Sequence, residues 1–184
     1  MLPFAGTMEM KNPDTVDDPL VRGTYEEEDQ YLSRVRPILP NFPEDVIIHW
    51  LYRHNPQVLR EYSWTNFPSL RFRPEKWSTA RILDEVEHTN EPGVEIERQK
   101  LLQNQRNYRK SYPLAAYMVS NGTWPVPPLV IDNDRGKAWP NGSQIARFQA
   151  IEGMHRLGFL RALNEGAPGF ATLRPDHALW LIML

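Results

Sequence analysis

The chain has 184 residues, 41% of them apolar, and nearly balanced charge: 21 Lys and Arg against 23 Asp and Glu, a net of −2. That length is enough for one domain with a full core, or one domain with a helical annex, and the charge balance is unlike the basic excess of a dedicated DNA-binding domain. Cys is absent, which excludes disulfides, zinc–thiolate sites and thiol nucleophiles.

No apolar run reaches bilayer length and the N-terminus lacks a basic-then-apolar leader, so a cytoplasmic protein without a membrane segment is expected. Charge is unevenly spread. Asp14–Asp29 carries Asp14, Asp17, Asp18, Glu26, Glu27, Glu28 and Asp29 against Arg22 alone, whereas Arg98–Lys110 carries Arg98, Lys100, Arg106, Arg109 and Lys110 with no acid between them. A local basic face on a neutral protein suits transient contact with nucleic acid.

Residues 1–23 are polar, turn-rich and acidic and read as a flexible acidic arm. Tyr25–Val35 predicts a short helix on Tyr31, Leu32 and Val35, ending before Pro37. Phe42–His54 predicts a clearer one, capped by Asn41, with Pro43 and Glu44 in its first turn and Ile47, Trp50, Leu51 and His54 on one face. Asn55-Pro56 starts another helix that reaches about Tyr62. Residues 24–68 thus form an N-terminal helical annex. His49 and His54, five apart, do not share a helix face and do not read as a metal pair.

From residue 69 strands and helices mix. Ser69–Arg73 reads as a strand, with Leu70 and Phe72 facing one way. Ser78 caps a helix through Ile82, Leu83 and Val86, and His88 near its end reads as structural or surface, its protonated form favoured by the helix dipole. Val94–Ser111 predicts a helix with little apolar surface, either solvated or facing a polar ligand; Arg106, Arg109 and Lys110 are its candidate DNA-phosphate contacts. Tyr112–Ser120 is a further helix, ended by Asn121-Gly122. Pro125–Pro128 forces an extended entry to the strand Leu129–Asp132, and Asp132–Gly142 is a polar, hairpin-like loop. Asn164–Gly169 turns into a last strand, Ala178–Leu184, apolar enough to be internal. The order implies an α+β domain over residues 69–184 with a small sheet.

The most informative stretch is Ile145–Leu163. Its first half alternates like a strand; its second half repeats Met154, Leu157, Leu160 and Leu163 at helical spacing, and Gly166 offers a stop. Between them lies Glu152-Gly153-Met154-His155-Arg156. The first N–H groups of a helix lack internal partners and carry partial positive charge, and Gly153 lets a ligand approach the backbone. Arg156 can fork two phosphate oxygens, His155 can donate to phosphate or shuttle a proton, and Glu152 can hold Mg²⁺ or orient water. The same five residues also fit an ordinary turn with two solvated basic side chains.

Strand, Glu-Gly-Met-His-Arg and an Ala/Leu helix resemble the signature of the ParB/sulfiredoxin superfamily, whose nucleases and nucleotide hydrolases often read Asp/Glu-Gly-x-His-Arg at this turn. Ala115–Asp132 resembles that superfamily's helix, Gly turn and Pro-led strand; the likeness covers roughly Leu70–Leu184. From Met1-Leu2-Pro3-Phe4 onward the chain also resembles the fertility-inhibition factors of conjugative plasmids. The resemblance implies a small mixed sheet with surrounding helices, a fold that hydrolyses ATP and cuts DNA, and a block on conjugative or type IV secretion DNA transfer. A secretion coupling protein or a relaxase–DNA complex is the implied partner. Met154 stands where sulfiredoxins have their Cys, which excludes thiol-based sulfinic-acid repair.

The residues expected to act are therefore Glu152, His155 and Arg156 in catalysis, Gly153, Met154, His155 and Arg156 on nucleotide, and Glu152 on Mg²⁺ or another divalent cation, with Asp132 and Asp134 as helpers if the fold brings them close. Alternatives from the same residues are a nucleotide-switched DNA-binding clamp, a small-molecule kinase, or a protein that blocks a secretion coupling protein by contact alone. The absence of a helix-turn-helix pattern speaks against sequence-specific DNA readout.

Overall fold

The structure, a computed structural model, describes residues 18–103, 105–166 and 169–183; of Gln105, Arg106 and Arg109 it describes the backbone. It divides into two compact units, one ending at Arg71 and the other beginning at Phe72.

The first unit is helical. Helix α1 (Glu28–Val35) opens with a capping box between Glu27 and Gln30 and buries Tyr31 and Val35. Asn41 does not cap the next helix. Its amide donates to the Pro68 carbonyl at 3.1 Å, and α2 (Glu44–Val46) starts from Pro43 with no side-chain cap. The predicted regular helix is then broken by a π-helix, Ile47–Tyr52, in which the Arg53 N–H reaches the Ile48 carbonyl. The widened turn still buries Ile47, Trp50 and Leu51, but His54 is exposed. Trp50 packs edge-on to Tyr62 at 5.3 Å and beside Phe67 at 5.9 Å. Helix α3 (Asn55–Glu61) follows, with Pro56 in its first turn.

Residues 18–23, expected to belong to a loose arm, are pinned here; the rest of the arm, residues 1–17, lies outside the described residues. Leu20 is buried, and its carbonyl accepts from the Tyr31 hydroxyl at 2.9 Å and the Asn55 amide at 2.7 Å. The Asn55 Oδ1 in turn accepts the Arg22 N–H at 2.8 Å. Buried polar groups of this kind are tolerated only when partnered, and these are.

The second unit is an α+β body with a five-stranded mixed sheet in the order β1-β5-β3-β4-β2. Strand β1 (Arg71–Ser78) is longer and later than the predicted Ser69–Arg73, whose start is a 3₁₀ turn at Phe67–Ser69. As an edge strand it tolerates Pro74. Ser78 caps α4 (Thr79–Glu85) by accepting the Arg81 N–H. The helix stops at Glu85, short of the predicted Val86, and Val86–His88 is a strand, β2, that the sequence pattern did not announce. It pairs in parallel with β4 (Phe148–Glu152), Val86 against Phe148 and His88 against Ala150.

The basic stretch is two helices, α5 (Glu91–Gln103) and α6 (Gln105–Ser111). Helix α5 is not the solvated helix that its weak apolar pattern implies: Val94, Glu97 and Leu101 are buried, and it makes the most extensive helix contact of the unit, with α8 (Met154–Asn164). The reason lies at Gly158. A Cβ there would stand 2.6 Å from the Val94 carbonyl oxygen and 2.8 Å from the Glu97 Cβ, so the missing side chain lets the two backbones touch. Helix α7 (Pro113–Asn121) ends at Gly122, as predicted. Strand β3 (Leu129–Asp132) runs antiparallel to β4 and parallel to β5 (Asp176–Met183), which lies inside the sheet. Trp77, Ile82, Phe148, Ala150, Leu157 and Phe159 belong to the core on which α8 packs.

Candidate functional site

Strand β4 ends at Glu152, Gly153 takes a left-handed φ of +117°, and α8 begins at Met154. The turn needs glycine twice over: that φ is strained for other residues, and a Cβ would meet the Pro128 Cβ at 2.6 Å. The strand–glycine–helix junction therefore stands where the change of hydrophobic period placed it. It lies beside the end of β2, because β2 and β4 run in parallel.

The junction side chains are engaged in ways that their spacing does not disclose. Nη1 of Arg156 lies 2.6 Å from both oxygens of Glu152, and Arg156 is buried. Its Nε has no partner among the described residues. Expected as an open phosphate fork, Arg156 instead balances the carboxylate expected to bind metal. Gly153 is buried and Met154 half-buried, with the Met154 sulfur 3.4 Å from the Asn90 amide nitrogen.

His155 points the other way, toward α5. Its Nδ1 is buried and lies 3.1 Å from Oε2 of Glu97, close enough for an ion pair, although the ring N–H is not aimed straight at that oxygen. The imidazole as a whole is 38% exposed, and its Nε2 has no partner among the described residues. Tyr112 and Phe159 flank the ring at 5.1 and 6.2 Å.

Glu97 was absent from the predicted site. It is 4% exposed, and besides His155 it accepts from Lys100 Nζ at 2.7 Å and from the Tyr108 hydroxyl. Burial pushes its carboxyl pKa up, but Lys100, Tyr108 and His155 together outweigh burial and hold it below the ordinary value. It is an anion inside the protein, held by donors from α5, α6 and α8. The sequence hint was Gly158 in an otherwise Ala/Leu helix, a mark of close backbone approach.

His88 is also nearer to the site than its expected place on a helix end. It closes β2 and pairs with Ala150, two residues before Glu152, near enough for the charge of that carboxylate to act on its ring. Its Nδ1 accepts the Asn90 N–H at 2.8 Å, so the neutral ring carries its proton on Nε2. Burial lowers its pKa, the reverse of the dipole-favoured imidazolium expected. Glu91, at the start of α5, ties β2 to α8: Oε1 accepts the His88 N–H at 2.8 Å, and both oxygens meet Arg161.

The other carboxylates do not join Glu152. Asp132 is at the opposite end of the β3–β4 pairing, against Phe148, and is ion-paired with Arg147; Asp134 is exposed in the loop beyond. Among the described residues no group of three or more His, Asp or Glu is arranged to hold a metal ion. With both Glu152 oxygens on Arg156, the donors present do not fit a protein-built divalent-cation site. Of the predicted DNA contacts, Lys110 is exposed on α6, while the side chains of Arg106 and Arg109 lie outside the described residues. Arg98 is balanced by Glu95 and Glu165. Among the described residues no helix is long and apolar enough to cross a membrane.

Fold and site together define an α+β protein with a mixed sheet and a polar strand–glycine–helix junction, in which one buried glutamate backs a partly exposed histidine. No family model matches the chain, and no curated protein or solved structure matches it.

Proposed function

We propose that the chain is an ATP-hydrolysing DNase of the ParB/sulfiredoxin type, a cytoplasmic fertility-inhibition factor that acts on DNA bound for type IV secretion. The observation that carries this reading is the junction: a partly exposed imidazole on the first turn of α8, beside a close-approach glycine and a buried arginine with a free Nε. Helix N–H groups and Gly153 would seat the phosphates, His155 would move the proton, and Arg156 would exchange part of its pairing with Glu152 for phosphate oxygens as charge develops. Mg²⁺ enters as the counter-ion of the nucleotide itself.

A second reading is favoured by the closed Glu152–Arg156 pair. A phosphate that draws Arg156 away releases a carboxylate, which suits a nucleotide-switched DNA clamp. Incubating the purified chain with labelled ATP, DNA and Mg²⁺ separates the two. Phosphate release with DNA shortening supports the nuclease; turnover or nucleotide-dependent DNA binding without cutting supports the clamp; neither overturns both.

A further inference from the structure

We infer that Glu97 is a positioning residue that holds the neutral His155 ring with its proton on Nδ1, leaving Nε2 as the nitrogen that acts. This deepens the hydrolysis reading and rests on it for the chemistry, but not for the geometry. The carboxylate is buried, reached by Lys100, Tyr108 and His155, and brought to the ring by the Gly158 crossing. A buried anion 3.1 Å from a ring nitrogen stabilises the N–H form of that nitrogen. A slight ring rotation aligns the bond, as catalytic hydrogen bonds often do only when substrate arrives.

The other polar groups around His155 do not replace this partner. Glu152 and Arg156 are taken up by each other, Tyr112 presents its ring, and His88 has its Nδ1 on Asn90. Lys100 and Tyr108 help to keep Glu97 ionised, as its depressed pKa requires.

Nε2 takes a proton from water as the water oxygen bonds to phosphorus and the P–O bond to the leaving group breaks. The imidazolium, stabilised by Glu97, then returns the proton from Nε2 to the leaving oxygen.

The test reads the tautomer directly, by ¹⁵N NMR of the His155 ring in the full chain at a pH where the ring is neutral, assigned by its loss in His155→Gln. The expected result is Nδ1–H in the parent and a shift toward Nε2–H in Glu97→Gln. A parent ring protonated on Nε2, or the same tautomer in both proteins, overturns the proposal. If Glu97→Gln does not fold, the parent spectrum alone decides. With ATP as substrate, Glu97→Gln should lower kcat by at least about 10-fold and leave KM within about two-fold; an unchanged kcat in an active parent also overturns it. A parent that shows Nδ1–H but hydrolyses no ATP removes the hydrolysis reading and leaves the positioning intact.

Discussion

Asn55 in the first unit and Glu97 in the second are both buried polar side chains with three partners, yet they are built to opposite ends. Asn55 is neutral, and its partners are the Leu20 carbonyl, the Arg22 N–H and the buried Tyr31 hydroxyl. All three are bonds to main chain or to a buried hydroxyl, so the node fixes the local fold. Glu97 is charged, its partners are the side chains of Lys100, Tyr108 and His155, and the last of these is partly in solvent. Among the described residues the buried Nδ1 of His155, beside Glu97, and the Nε of Arg156 have no aligned hydrogen-bond partner. A neutral, closed node specifies a fold, whereas a charged node with one exposed member keeps a side chain ready for a ligand.

The largest expected effect that separates the nodes is on turnover. His155→Ala should cut phosphate release by about 10²–10⁴, while the melting temperature stays near the parent's because the ring is partly exposed. Paired activity and melting measurements check this, and a fully active His155→Ala places the chemistry elsewhere.

Asn55→Leu should do the reverse. It strands the Arg22 N–H and takes one of two bonds from the Leu20 carbonyl and from the Tyr31 hydroxyl, which keep each other, at about 1–3 kcal/mol for a buried group left unmet. Urea unfolding should register a loss of about 1–3 kcal/mol, with hydrolysis per folded molecule unchanged. A stability equal to the parent's would show that the node is dispensable.

Gly158→Ala tests whether the second node depends on the crossing. Its methyl group meets backbone at Val94 and the Glu97 Cβ, so α5 and α8 must separate, at about 1–3 kcal/mol for overpacking. Turnover should fall along with stability, because Glu97 then retreats from His155. A destabilised but fully active variant would uncouple the two.

The smallest effect concerns acid. Glu97 has a folded pKa below its ordinary value of 4.5, so its ionised form contributes stability above that pH, and the contribution is lost as pH falls through the lower folded value. Glu97→Gln should therefore show a flatter loss of stability below pH 4.5 than the parent. Parallel acid limbs in equilibrium unfolding would mean that the carboxylate's charge is not what stabilises the node. Asn55→Leu, with no charge to lose, should leave the slope alone.

Local pattern determined much of this protein. Ser78 as a cap, Gly122 and Gly166 as stops, Pro125–Pro128 before a buried strand and the period change around Gly153 are all effects within a few residues, and they stand in the structure as they read. Tertiary contact decided the rest. Val86–His88 is too short to carry a period and becomes a strand only because Phe148–Ala150 lies alongside. Helix α5 looks polar because Glu97 occupies one of its buried positions, and no sequence scale counts a carboxylate as core. The glutamate and the histidine it backs are 58 positions apart (155 − 97); a pairing at that range is set by where two helices cross, and Gly158 alone marks it in the chain.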